Sequence, residues 1–184
     1  RKVDSAADTI QRLNPGATLE VHPTRLDAGN ALEILDGYDV IIDATDSFPT
    51  RYLINDAALG LHIPVVHGSV YRYEGQATVF DPYRGPCYRC LFPQAPPPEL
   101  APNCAEAGVL GVLPGTIGMI QATEAIKLIL TLGESLAGRL LTYDARAARF
   151  DTLEIARNPE CPACADADAP PTLVDYEDAC LPGQ

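Results

Sequence analysis

Tyr38-Asp39-Val40-Ile41-Ile42-Asp43-Ala44, followed at once by Thr45-Asp46-Ser47, sets the architecture of this chain. A compact apolar run of this kind suits a strand buried on both faces, and such strands belong to parallel sheets covered by helices. A helix starts near Pro49, a residue tolerated in the first helical turn, and runs to about Gly60. Ligands of such sheets bind outside the carboxyl ends of the strands. Asp43, Thr45 and Asp46 stand at that address.

Working outward, Val3 to Leu13 places Val3, Ala6, Ala7, Ile10 and Leu13 at helical spacing, and Asn14-Pro15-Gly16 stops the helix. Ala17 to His22 alternates like a strand, and Asn30 to Leu35 reads as a short helix ended near Gly37. Pro64 to Val70 and Gln76 to Phe80 are the next strands. This alternation of helix and strand predicts an α/β fold with a mostly parallel sheet. The periodicity fails from Asp81 to Leu113, where prolines crowd the chain; an irregular stretch of that length is usually functional or mobile. Pro114 to Leu132 is the strongest helix, with Met119, Ile120, Ala122, Ile126 and Ile129 as its expected core positions. Gly108, Gly111, Gly115 and Gly118 lack the spacing of a dinucleotide fingerprint and read instead as points of close packing. Strands are expected at Arg139 to Tyr143 and Ala148 to Ile155. Residues 165–184 are acidic and read as a linker or surface arm behind a domain spanning 1–164.

Two Cys-x-x-Cys pairs lie far apart, at Cys87/Cys90 and Cys161/Cys164. Four thiolates in two such hairpins can close a tetrahedral shell around one zinc ion. Two disulfides or four unrelated thiols are the alternatives; the x-x spacing and the lack of a secretory signal favour zinc. Four protein ligands leave no open position, so this zinc would be structural. The net charge of −12 argues against a nucleic-acid partner, because phosphate binding needs a basic surface. No apolar run approaches the roughly 18 residues of a membrane span. His22, His62 and His67 show no ligand spacing and read as structural.

Taken in order, several segments resemble the ThiF/MoeB family, the bacterial relatives of ubiquitin-activating enzymes. They are Lys2-Val3-Asp4-Ser5-Ala6; Asp43-Ala44-Thr45-Asp46-Ser47 with Arg51 and Asn55; and Glu74-Gly75-Gln76 leading to Val79-Phe80. Pro86-Cys87-Tyr88-Arg89-Cys90-Leu91-Phe92-Pro93, Cys104-Ala105-Glu106-Ala107-Gly108-Val109 and Asn158-Pro159-Glu160-Cys161-Pro162-Ala163-Cys164 continue the match, and Pro171 to Glu177 resembles the linker that follows the zinc site. The resemblance implies a Rossmann-like, mostly parallel sheet flanked by helices, continuing into antiparallel strands, with a four-cysteine zinc knuckle. It implies ATP-dependent adenylation of the C-terminal glycine of a small ubiquitin-like sulfur carrier ending in Gly-Gly, similar to MoaD or ThiS. A thiocarboxylate would follow, with sulfur from a donor such as a cysteine desulfurase or rhodanese. A cytoplasmic homodimer is also implied. The family's glycine-rich phosphate loop precedes the Lys2 position, so the sequence is expected to lack an N-terminal part. An incomplete, zinc-stabilised carrier-binding module is the competing reading.

Adenylation brings two anions together, so its site must neutralise charge and align attack. Magnesium takes oxygen ligands, and Asp46 matches the family's metal-binding aspartate, with a helix N-cap as the bland alternative. Asp43, three residues earlier, could share the ion. Lys2 matches a lysine that contacts the ATP phosphates. Arg51 and Asn55 are four apart and share a helix face; Arg51 would support Asp46 or reach a phosphate, or make only a surface salt bridge. The resemblance implies that Asn55 accompanies it in the nucleotide site. Cys104 matches a cysteine proposed to bond covalently to the carrier, against a buried structural thiol. Arg72 and Tyr73 fall near where the family places the carrier's tail.

Overall fold

The computed structural model describes residues 1–94 and 108–175. Helices α1 (Lys2–Leu13) and α2 (Ala31–Leu35) precede strand β1 (Ile41–Asp43), helix α3 (Phe48–Leu61) and strand β2 (Val65–Tyr71). Strand β3 (Glu74–Phe80), the short α4 (Tyr88–Leu91), the long α5 (Leu113–Leu130) and strands β4 (Arg139–Asp144) and β5 (Arg149–Glu154) follow.

The strands form one sheet in the order β1-β2-β3-β4-β5. Strands β1 and β2 run parallel, with Asp43 opposite His67. The other three pairings are antiparallel. The α/β class, the flanking helices and the antiparallel continuation hold, but the described sheet carries one parallel pairing rather than mostly parallel ones. Connection length accounts for the hairpins β2–β3 and β4–β5, while β3 and β4 pair antiparallel across a long connection that includes α5. Parallel neighbours need a crossover of about a dozen residues or more, which α3 supplies between β1 and β2. Only Arg72 and Tyr73 separate β2 from β3, with Arg72 at φ 50°, and so short a link makes a hairpin. The strand expected at Ala17 to His22 is not formed. Ala17 and Leu19 are half-buried, as alternation requires, but no described strand pairs with the segment to complete a ladder.

Helix α3 is buried from Arg51 through Leu59. The Ser47 hydroxyl caps it by accepting from Thr50 N at 3.4 Å, with Pro49 in the first turn, so Asp46 is not the cap. His62 ends the helix in the left-handed region at φ 57°.

Helix α5 lies on the sheet with Leu113, Ile117, Gln121, Glu124 and Ala125 inward. Of its expected core positions, Met119 (74% exposed), Ala122, Ile126 and Ile129 face outward, and Ile120 is half-buried. A helix apolar on nearly every side gives periodicity no face to mark. Polar anchors select the face instead. Gln121 Nε2 donates to the Asp43 carbonyl at 2.7 Å and to that of Val66 at 3.1 Å. Glu124 accepts from Leu136 N at 2.7 Å and Lys127 Nζ at 2.6 Å. The stripe on α1 buries none of its residues. Past the second cysteine pair, Leu173 packs on Ala31, Leu53 and Ala57, and Asp175 accepts from Ala28 N at 2.8 Å.

Close packing also falls on other glycines than expected. A Cβ at Gly108, Gly111, Gly115 or Gly118 would meet nothing within 4 Å. At Gly68 it would lie 2.4 Å from Gln121 Cδ, and at Gly75 2.6 Å from Ile117. Gly68→Ala should therefore displace Gln121 and lower stability by about 1–3 kcal/mol, the usual cost of overpacking. The check is urea denaturation: a lower midpoint at unchanged m-value is expected, and an unchanged midpoint would show that α5 does not rest on this glycine.

Candidate functional site

Residues 44–47 join β1 to α3, and buried side chains hold the start of this turn. Asp43 is 2% exposed. Its Oδ2 lies 2.8 Å from His67 Nδ1, and its Oδ1 accepts from Thr45 N at 3.0 Å and Thr45 Oγ1 at 2.7 Å. Burial pushes its pKa up, but the bonds from His67 and Thr45 outweigh burial and hold it below the ordinary 3.8. Arg51 is buried beneath the turn and donates to the Thr45 carbonyl from Nε at 3.2 Å and Nη2 at 2.7 Å. Its guanidinium stacks over Phe48 at 5.4 Å. The surface salt bridge considered for Arg51 is thus not what the fold builds. Asp46, next in line, is exposed and makes no hydrogen bond or ion pair with a described residue.

The structure brings Asp43, Asp46 and Arg51 to one turn and leaves the other expected contacts elsewhere. Asp43 is buried, with Oδ1 turned to Thr45 and Oδ2 to His67. Asn55 is buried; its Oδ1 accepts from Tyr88 N at 2.8 Å and its Nδ2 donates to Asp56 Oδ1 at 3.0 Å. Its amide braces α3 against the first cysteine pair instead of facing a nucleotide. Lys2 is exposed on α1, whose ties run to the carbonyls of Ala17 and Pro23. Cys104 lies outside the described residues. Sequence reasoning missed the parts played by His67, Gln121, Asp56 and Arg157. The sequence signal for His67 was a histidine inside the apolar strand segment Val65-Val66-His67; its register with Asp43 came only with the fold.

The cysteine pairs meet, with all four Sγ atoms within 4.8 Å of one another. Cys87 and Cys161 are 3.6 Å apart, Cys90 and Cys164 3.5 Å, and Cys87 and Cys90 3.8 Å. A tetrahedron with Zn–S near 2.3 Å has sulfur edges of about 3.8 Å. Disulfide sulfurs sit about 2.05 Å apart, so the spacing fits a thiolate metal site and not two bridges. Burial, then the neighbouring thiols, raises Cys87 and pushes Cys164 up to about 11. Burial also acts on Cys161, but the backbone amides of Ala163 and Cys164 outweigh it and lower that thiol. Four sulfurs gathered this closely could hold a cation such as zinc.

Both hairpins are braced. Asp56 takes a two-pronged grip from Arg89, at 2.9 Å to Nε and 2.7 Å to Nη2, and the Tyr52 hydroxyl donates to the Phe92 carbonyl at 2.9 Å. Arg157 donates to the carbonyls of Tyr83 and Ala165, both at 3.2 Å, and to that of Cys164. Separately, a groove of about 380 Å³ runs over the antiparallel part of the sheet, lined among others by Ser69, Tyr71, Glu74, Gln76, Tyr143 and Arg149.

Residues 1–163 match the ThiF family. The chain is 52% identical over 180 residues to the sulfur carrier protein adenylyltransferase of Thermus thermophilus, covering 95% of this chain and 66% of that protein. It is 51% identical over 180 residues to the SAMP-activating enzyme E1 of Haloferax volcanii, covering 97% of this chain and 66% of that protein. The chain thus spans 66% of the length of both relatives. The crystal structure of E. coli MccB with ATP superposes with a TM-score of 0.74 at 14% identity, covering 90% of this chain and 52% of that one. At that identity the likeness concerns the fold alone.

Stripping metal with a chelator should lower the thermal midpoint, since structural zinc sites contribute roughly 10–16 kcal/mol of apparent binding energy. Cys161→Ser should do the same without chelator, and a melting curve indifferent to both would rule out a structural metal. Acid should act through Asp43. A carboxyl with a depressed folded-state pKa contributes stability above its unfolded value, and that stability is lost as pH falls from about 3.8 through the folded value. Asp43→Asn should cost about 1.5–3 kcal/mol at neutral pH, the worth of a hydrogen bond to a charged group, and should flatten the acid limb of a denaturation series.

Proposed function

We propose that this chain, which belongs to the ThiF family, acts in the ATP-dependent adenylation of the C-terminal glycine of a small ubiquitin-like sulfur carrier, ahead of thiocarboxylate formation. The observation that carries the reading is Asp46. It is an exposed carboxylate just past the carboxyl end of β1, on a turn stiffened from beneath by buried side chains. The two relatives, named for activating a sulfur carrier protein and for activating SAMP, support the same chemistry.

In this reading Asp46 holds magnesium together with phosphate oxygens and water, and the ion supplies the positive charge that lets carboxylate and triphosphate approach. Arg51 keeps the Thr45 carbonyl turned inward, which leaves Asp46 outward. Lys2 supplies an ammonium for the phosphates. Asn55 acts by position, tying α3 to the cysteine hairpin. Cys87, Cys90, Cys161 and Cys164 hold zinc as a structural ion, since four protein ligands leave no vacant coordination position. The groove over β2 to β5 accepts the extended Gly-Gly tail beside Glu74 and Gln76. Cys104 is the candidate for a covalent bond to the carrier, and a separate protein donates sulfur.

Two broader assignments go with this reading. The outward apolar residues of α5, Met119, Ile126, Ile129 and Leu130, form a homodimer contact. Reduced cysteines suit a cytoplasmic setting, and no helix among the described residues is long and apolar enough to cross a membrane.

The test is intact-mass spectrometry of a Gly-Gly-ended carrier after incubation with the protein, ATP and magnesium, with hydroxylamine to trap the adenylate. Conversion to the hydroxamate is the expected result. Asp46→Ala should reduce it by about 100-fold or more, the scale of losing one electrostatic contact to the transition state, while carrier binding persists. Carrier binding with no conversion under any condition would favour the binding-module reading instead.

A further inference from the structure

Asp43 and His67 form a buried pair that no expected contact with nucleotide, carrier or zinc accounts for. Each is at most 2% exposed. The His67 ring packs against Tyr88 at 5.3 Å and Phe80 at 5.7 Å between centroids. Its Nε2 has no hydrogen-bond partner among the described residues, so Nδ1 makes the ring's one polar contact, on Asp43. Since Asp43 is ionised, Nδ1 carries the proton and donates it.

The other Asp43 oxygen takes both donors of Thr45, the residue immediately before Asp46. Arg51 fixes the Thr45 carbonyl from α3, and Gln121 fixes the Asp43 carbonyl from α5. Three elements, β2, α3 and α5, therefore converge on two residues, and the Asp46 carboxylate next to them is exposed. A buried carboxylate is costly to desolvate even when it is hydrogen-bonded, so it gives little net stability compared with apolar side chains of the same size. Its placement at the root of an exposed carboxylate serves orientation better than it serves stability.

We propose that Asp43 and His67 are positioning residues that hold the 43–46 turn in one shape, so that Asp46 meets a divalent cation in a fixed orientation. The inference rests on the reading of Asp46 as a magnesium ligand. It makes Asp43 an outer-shell group that never touches the ion and His67 the group that orients Asp43. Outer-shell partners of this kind typically govern about 10–100-fold of metal affinity.

The experiment titrates Mn²⁺ into the protein with a non-hydrolysable ATP analogue and reads free Mn²⁺ by electron paramagnetic resonance. Hydrogen exchange at the Thr45 amide is followed in parallel. His67→Leu keeps the bulk and removes the donor; His67→Asn places an amide N–H near the Nδ1 position. Thr45→Val removes one bond to Asp43 at a half-buried site and guards against a His67 variant that fails to fold. Expected are about 10–100-fold weaker Mn²⁺ binding in His67→Leu, a smaller loss in Thr45→Val, faster Thr45 exchange in both, and recovery in His67→Asn. Unchanged Mn²⁺ affinity in His67→Leu and Thr45→Val would overturn the proposal, as would a His67→Asn variant no better than His67→Leu. If the unsubstituted protein binds no Mn²⁺ with the nucleotide, the reading of Asp46 itself has failed and this inference falls with it. That failure shows before any substitution is made.

Discussion

Helix α3 is buried from Arg51 through Leu59, and a buried helix must find a partner for every polar side chain it carries. Beside the Tyr52 hydroxyl, which donates to the Phe92 carbonyl, three such residues lie on it, and each finds its own partner. Arg51 turns to the carbonyl of Thr45, Asn55 to the amide of Tyr88, and Asp56 to the guanidinium of Arg89. The first holds the turn after β1; the other two hold the first cysteine hairpin. One desolvated helix thus sets the positions of both the exposed Asp46 and the thiol cluster. Neither can shift far without leaving a buried polar group unpaired.

Most buried charge in the described structure is matched within the protein. Asp43 has hydrogen bonds from His67 and Thr45, Asp56 has Arg89, and Glu124 has Lys127. The thiol cluster could hold a cation from outside, the turn at Asp46 is the place proposed for magnesium, and the two differ in kind. The thiol cluster is soft, enclosed and complete in itself, which suits zinc. The turn at Asp46 offers a hard oxygen open to solvent, which suits an ion that keeps waters and phosphates among its ligands. Glycine matters to this division at one point. Without a Cβ at Gly68, α5 settles close enough to the sheet for Gln121 to reach the end of β1.

Much of this was legible in sequence. The bounds of α1, α3, β2, β3, β4 and β5 follow from local periodicity and from Pro and Gly punctuation, which act within a few residues. The cysteine spacing pointed to one cluster, because a two-residue gap suits a metal hairpin wherever the hairpins lie. Asp46 stood out as a polar residue at the carboxyl end of an apolar strand.

Properties that depend on what packs alongside were not legible in the same way. The two-residue link Arg72-Tyr73 makes a hairpin where alternation of elements suggested a crossover, and β3 pairs antiparallel with β4 although α5 lies between them in the chain. The inner face of α5 follows from where Gln121 and Glu124 find carbonyl and amide partners, which apolar periodicity cannot register. Arg51 and Asn55 share a helix face, as their spacing requires. What that face meets, a carbonyl in one case and a backbone amide in the other, exists only after the chain has folded. Spacing along the chain fixes which side chains point together, while a polar side chain's partner is fixed by the neighbour that burial brings to it.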